Sequence, residues 1–299
     1  MQFQGSALSV WLQAARPKTL AAAAAPAVVG SAVALAEGIF RPGPAAAALA
    51  GALLLQVGSN LANDVFDFHR GADAGERMGP LRITQAGLRS PAQVKAAMAV
   101  VFGLAALIGL YLAQTGGWPI LIVGLLSILA AVAYTGGPFP LGYHGLGDLF
   151  VFIFFGLVAV CGTYYVQAGR VSVLAWWSAV PVGLLATAIL VVNNLRDIES
   201  DRAAGKRTLA VRLGPQGARA EYLLLVRTAF LLPAIMWAAG ATGPWVLLTW
   251  LAFFVARPTV NLVLGGEGRV LNEALAGTAR LELAYASLLS LGLILSRWF

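Results

Sequence analysis

The chain has 299 residues, 59% hydrophobic and 11% charged, with a formal net charge of +7. A soluble globular domain carries about 25% charged residues, so an ordinary water-soluble globule is excluded. The basic excess is of the kind that anchors the cytoplasmic loops of a membrane protein, and no nucleic-acid partner is expected from it.

The first 19 residues are polar-leaning, carry Arg16 and Lys18, and lack the pattern of a cleaved leader. A membrane-crossing helix needs roughly 20 mostly apolar residues. Nine such stretches follow, at 20–40, 45–68, 94–113, 119–134, 146–166, 171–195, 221–240, 244–264 and 281–299. None alternates with period two, which excludes a β-barrel. The expected fold class is therefore all-α, a polytopic membrane protein of about nine transmembrane helices, with 1–299 as one domain. The single cysteine, Cys161, falls in an apolar run and is read as a small core side chain.

With the N-terminus in the cytoplasm, 17 of the 20 Lys and Arg residues fall in cytoplasmic segments; only Arg41, Arg170 and Arg297 do not. This asymmetry sets the orientation and puts the C-terminus on the opposite side. The six Asp residues follow the same face, although the charge rule does not require it. Asp64, Asp67 and Asp73 close the second stretch, Asp148 opens the fifth, and Asp197 and Asp201 close the sixth.

Two polar cassettes carry the chemistry. The first, 60–73, holds Asn60, Asn63, Asp64, Asp67, Arg70 and Asp73; the second, 193–208, holds Asn193, Arg196, Asp197, Asp201 and Lys206. They form a weak repeat at an offset of 130 residues: Asn63 aligns with Asn193 and Asp67 with Asp197, while Gly71 faces Asp201. Residues three and four apart share a helix face. Like charges so placed repel, and a hard divalent cation offsets the repulsion. Mg²⁺ takes one or two carboxylates together with substrate phosphates, and nearby guanidinium groups suit phosphate oxygens. The plain alternative is a solvated helix end neutralised by its own arginines. Carboxylate-bound Mg²⁺, basic side chains and a lipid-embedded bundle together point to a lipid diphosphate, whose allylic C–O bond could ionise in an apolar cavity.

These cassettes resemble those of the UbiA superfamily of intramembrane aromatic prenyltransferases, and within it the 1,4-dihydroxy-2-naphthoate polyprenyltransferases of menaquinone biosynthesis. The match is carried by residues 16–19, 60–87, 134–148 and 193–214. The resemblance implies nine helices around a central cavity and two Mg²⁺ ions bridging a prenyl diphosphate, with dihydroxynaphthoate as acceptor and loss of its carboxylate. It implies Asn63, Asp64, Asp67, Asp197 and Asp201 as metal ligands, with Asp67 and Asp197 central to catalysis. Tyr134 would line the reaction centre, where an aromatic face stabilises an allylic cation. Arg16, Asn60, Arg70, Asp73, Asn193, Arg196 and Lys206 would serve substrate binding. Arg82, Gln85 and Lys18 are candidates for the acceptor carboxylate. Asp73 stands two positions beyond the fourth acid of many family members, a pattern of the naphthoate branch. Other acceptors stay open: 4-hydroxybenzoate, homogentisate, a porphyrin ring or a glycerol lipid. Transport is the rival of a different class, but the repeats are parallel and the charges sit at one face instead of mid-membrane.

Overall fold

The computed structural model describes residues 6–71, 78–79 and 81–298. Among these residues all regular structure is helical. Eight helices are long and apolar enough to cross a membrane, and a ninth, shorter apolar helix, Trp118–Ala133, lies between them.

The N-terminal segment forms helix α1, Ala7–Ala15, capped by the Ser6 side chain. Arg16, in the left-handed region at φ 50, ends it and turns the chain into the first crossing helix, α2, Leu20–Ala36. Helix α3, Pro42–His69, returns. Helix α4, Pro91–Gly116, starts in a capping box in which Ser90 and Gln93 satisfy each other's amides. Gly117, at φ 76, closes the tight turn into α5, Trp118–Ala133. The next crossing is composite: α6, Gly147–Val151, a π-helical stretch Phe152–Val158, and α7, Ala159–Ala168.

Helix α8, Val173–Arg196, is the central element, with 72% of its apolar window buried, against 11% for α4. It crosses the π-helical stretch at Gly156 and Gly183, where a Cβ on Gly156 would lie 2.6 Å from the Gly183 Cα. Short α9, Ile198–Ala203, leads to α10, Leu209–Ala238, which kinks at Gly214 (φ 73) before Pro215. A 3₁₀ stretch, Pro244–Ala252, runs into α11, Phe253–Gly265, and α12, Leu271–Trp298, completes the bundle. Two buried tyrosine hydroxyls are satisfied across helices: Tyr222 pairs with Thr278, and Tyr285 donates to the Ala229 carbonyl.

The expected spans hold in number and order, but two begin later than the helices do. Helix α10 starts at Leu209 instead of 221 and α12 at Leu271 instead of 281. Both extensions are polar, carrying Arg212 and Arg219 in one and Asn272 and Glu273 in the other. Hydropathy recognises where a helix meets lipid, not where it continues into water.

Candidate active site

The two cassettes lie at the C-terminal ends of α3 and α8, crossings that run the same way. Helix C-termini carry partial negative charge, so carboxylates gathered there call for cations. The protein supplies them from its own side chains. Asp67, 1% exposed, receives the Arg82 guanidinium at 2.5 Å and the Lys206 ammonium at 3.2 Å. Its other carboxylate oxygen accepts the Tyr143 hydroxyl at 2.6 Å. Lys206 also reaches Asp201 at 3.6 Å, so one ammonium bridges the two cassettes. Its Nζ lies 4.8 Å from the Tyr143 ring centroid.

Asp197 is held by its neighbour. Arg196 Nε and Nη2 reach its two carboxylate oxygens at 2.8 and 2.6 Å, and Nη2 also donates to Asn193 Oδ1. The remaining guanidinium nitrogen donates to Asn272 at the start of α12, whose amide in turn donates to the Met78 carbonyl. Asn63 Oδ1 accepts the Thr135 hydroxyl at 2.9 Å. Asn60 donates to the Ala15 carbonyl and to Thr19 Oγ1, tying the elbow between α1 and α2 to α3. Arg70 is exposed, donates to the Gly137 carbonyl and lies 5.3 Å from the Tyr143 ring centroid.

Burial, reinforced by the charges of Asp197 and Asp67 against the pull of Lys206, pushes the Asp201 carboxyl up to about 6. The hydroxyl of Tyr143 is pushed above the usual phenol range, by burial first and then by Asp67, and stays neutral as a hydrogen-bond donor.

Above this polar layer lies a cavity of about 490 Å³ lined mainly by α3, α4, α5 and the composite crossing. Its walls are almost wholly apolar, including Leu125, Ile128, Phe155 and Val158, but Gln56, Ser59, Asn60, Asn63 and Tyr134 also line it. Asn63 and Tyr134 therefore border both the charged layer and the apolar chamber.

The donor set, carboxylate and carboxamide oxygens, suits a hard divalent cation. Among the described residues no three His, Cys, Asp or Glu side chains close on one point. Mg²⁺ needs only one or two carboxylates, because it keeps substrate phosphates and waters in its shell.

The sequence profile of the UbiA prenyltransferase family matches residues 23–263. The chain belongs to that family. It is 39% identical over 302 residues to the 1,4-dihydroxy-2-naphthoate octaprenyltransferase of Escherichia coli K12, covering 99% of this chain and 98% of that protein. Its fold is that of the UbiA homolog from Aeropyrum pernix K1, with a TM-score of 0.69 at 21% identity over 92% of this chain and 97% of that one. A UbiA homolog from Archaeoglobus fulgidus, solved bound to DMAPP and Mg²⁺, aligns with a TM-score of 0.59 at 15% identity, covering 94% and 99% of the two chains.

Of the expected site residues, the UbiA fold brings Asn63, Asp67, Arg82, Asn193, Arg196, Asp197, Asp201 and Lys206 into one polar layer, with Tyr134 at the cavity edge. It does not assemble Arg82, Gln85 and Lys18 into one pocket: Arg82 is buried on Asp67, while Gln85 and Lys18 are exposed. Asp73 lies outside the described residues. Three residues had been given no role from sequence: Tyr143, Thr135 and Asn272. Tyr143 and Thr135 sit inside a matched stretch, a signal that was present. Asn272 sits in the polar start of α12, which no pattern marked.

Proposed function

We propose that this UbiA-family protein transfers a polyprenyl group from an allylic prenyl diphosphate to 1,4-dihydroxy-2-naphthoate, giving demethylmenaquinol. The observation that carries the proposal is the meeting of both acidic cassettes on Lys206 directly below an apolar cavity bordered by Tyr134. The resemblance in sequence to the Escherichia coli enzyme favours the naphthoate acceptor over other aromatics. Residues 1–299 act as one domain.

Asn63, Asp67, Asp197 and Asp201 would hold Mg²⁺, as two ions. When bound, the metal neutralises the diphosphate and makes it a better leaving group. Lys206, Arg196 and Arg70 bind diphosphate oxygens, exchanging their carboxylate or carbonyl partners for phosphate. The allylic C–O bond breaks with its electron pair going to the diphosphate. Tyr134 offers its ring face to the cation, and the apolar walls keep water from trapping it. The carboxylate-bearing ring carbon of the acceptor supplies the electron pair for the new C–C bond, and the carboxylate leaves that carbon as CO₂, its bonding pair restoring aromaticity. The cavity takes the proximal isoprene units.

The N-terminus and both cassettes face the cytoplasm. The three Lys or Arg residues outside the cytoplasmic segments follow this pattern: Arg41 precedes α3 at its far end, Arg170 follows α7, and Arg297 donates to the Leu35 carbonyl near the far end of α2.

The test is reconstitution. Purified protein is incubated with 1,4-dihydroxy-2-naphthoate and a prenyl diphosphate, with and without Mg²⁺, and product is sought by mass spectrometry. Mg²⁺-dependent demethylmenaquinol with equimolar CO₂ is expected. Product only with another aromatic moves the acceptor assignment, and no transfer to any acceptor by folded protein overturns the enzyme.

A further inference from the structure

Asp64 belongs to the first cassette by sequence, yet its surroundings differ from those of Asp67. It is 2% exposed, and its two carboxylate oxygens accept two consecutive backbone amides, Ile83 N at 3.0 Å and Thr84 N at 3.1 Å. Among the described residues Asp67 instead meets side chains, Arg82, Lys206 and Tyr143, whose bonds a cation can replace without moving backbone. Backbone amides cannot give way without moving the loop.

That loop is closed on itself. The amides of Ala86, Gly87 and Leu88 bond back to the carbonyls of Arg82, Thr84 and Ile83. It is also clamped from outside. Ile83 is fully buried in a small apolar cluster with Val10 and Ala14 of α1, Leu61 and Val65 of α3, and Val94 of α4. Arg89 lies 5.6 Å from the ring centroid of Trp11 on α1. The residue just before the two gripped amides is Arg82, which spans Asp67 at 2.5 Å and the Asn63 carbonyl at 2.7 Å.

We propose that Asp64 is a positioning residue and not a metal ligand: it grips the amides of residues 83 and 84 so that the 82–88 loop, seated under α1, delivers Arg82 to Asp67. A carboxylate whose two oxygens both accept backbone amides has fewer lone pairs free for a cation than one facing mobile side chains. Asparagine cannot replace it, because one of its two positions would present N–H to N–H. The N-terminal helix thereby becomes part of the active-site frame. The proposal rests on Asp67 being a metal ligand of a prenyl diphosphate site.

The test combines hydrogen exchange with kinetics. In the wild-type protein, exchange is followed by mass spectrometry across residues 81–90 before and after adding Mg²⁺ and geranyl diphosphate. The amides of 83 and 84 stay protected; loss of protection on ligand addition means that Asp64 has gone to the metal, and overturns the proposal. Transfer by that same wild-type sample reports on the enzyme assignment separately. Asp64→Asn speeds exchange in this peptide and lowers kcat/KM for the diphosphate about 10- to 100-fold, the range of charge-assisted hydrogen bonds. It does not raise the half-saturating Mg²⁺ concentration, whereas Asp67→Asn raises it about tenfold or more. In an Arg82→Ala background Asp64→Asn adds little, because both changes break one unit. Penalties that multiply, or a Mg²⁺ requirement raised as much as in Asp67→Asn, contradict the proposal.

Discussion

Asp67 and Lys206 stand 139 residues apart in the chain and 3.2 Å apart in space. One lies at the end of α3, the other just beyond α9, and their meeting joins the two halves of the repeat. The ammonium occupies the place between carboxylates that a divalent cation would otherwise compete for.

Replacing that ammonium separates its two roles. Lys206→Met should lower the half-saturating Mg²⁺ concentration, because Asp67 and Asp201 lose their internal counter-ion. It should lower kcat/KM for the prenyl diphosphate about 10- to 100-fold, because a charged donor to phosphate is gone. Steady-state kinetics with Mg²⁺ and diphosphate varied separately reads both. An unchanged Mg²⁺ requirement would show that the lysine does not share the metal's carboxylates.

Two tyrosines should respond differently to the same change. Tyr143→Phe loses the 2.6 Å bond to Asp67 and should cost about 1.5–3 kcal/mol in kcat/KM. Tyr134→Phe keeps the ring face and should stay near wild type, while Tyr134→Leu should lose about 0.5–2 kcal/mol, the range of a cation–π contact. If Tyr134→Phe is as poor as Tyr134→Leu, the hydroxyl and not the ring face matters.

Acid should weaken metal activation before it weakens the fold. The Asp201 carboxyl is pushed up to about 6, so below that pH the metal must displace a proton. The half-saturating Mg²⁺ concentration should rise about tenfold per pH unit below 6 and be flat above 7. Asp201→Asn should have a high requirement with no such slope. A wild-type requirement flat from pH 5 to 8 would contradict the assignment.

The cavity makes a prediction about chain length. Gly124 lines it, and a Cβ there meets nothing within 4 Å. Gly124→Phe should fold, since it replaces a helix-interior glycine, yet fill the chamber. Turnover of a long polyprenyl diphosphate should fall about 10- to 200-fold relative to a five-carbon donor. Equal losses for both donors would place the tail elsewhere.

Packing at the helix crossing can be tested apart from chemistry. Gly156→Ala puts a Cβ 2.6 Å from the Gly183 Cα, where backbone meets backbone. Overpacking of this kind costs about 1–3 kcal/mol. Thermal unfolding in detergent should show it, with Gly162→Ala, whose Cβ meets nothing within 4 Å, as the silent control.

Composition and hydropathy made the helical bundle legible because lipid demands long apolar stretches. The cassettes were legible because Asn63, Asp67, Asp197 and Asp201 sit at helical spacing beside lipid, where unpaired charge is costly. Which basic group answers which acid was not. Spacing does not reveal that Lys206 reaches back to Asp67, or that Arg82 turns inward while Gln85 faces out. Asp64 and Asp67 look equivalent on a helix face; only the fold of residues 82–88 separates an amide-gripped carboxylate from an exchangeable one. The plain alternative, acids neutralised by their own arginines, describes Asp197 with Arg196, but not Lys206 shared between two cassettes.

The central claim is that the ends of α3 and α8 form one metal–diphosphate site. The most direct measurement is Mn²⁺ binding followed by electron paramagnetic resonance in the presence of geranyl diphosphate, for the wild type, Asp67→Asn and Asp201→Asn. The account predicts diphosphate-dependent Mn²⁺ binding by the wild type, weakened by either substitution even though the two lie on different helices. Binding that neither substitution weakens, or that does not depend on diphosphate, would contradict it.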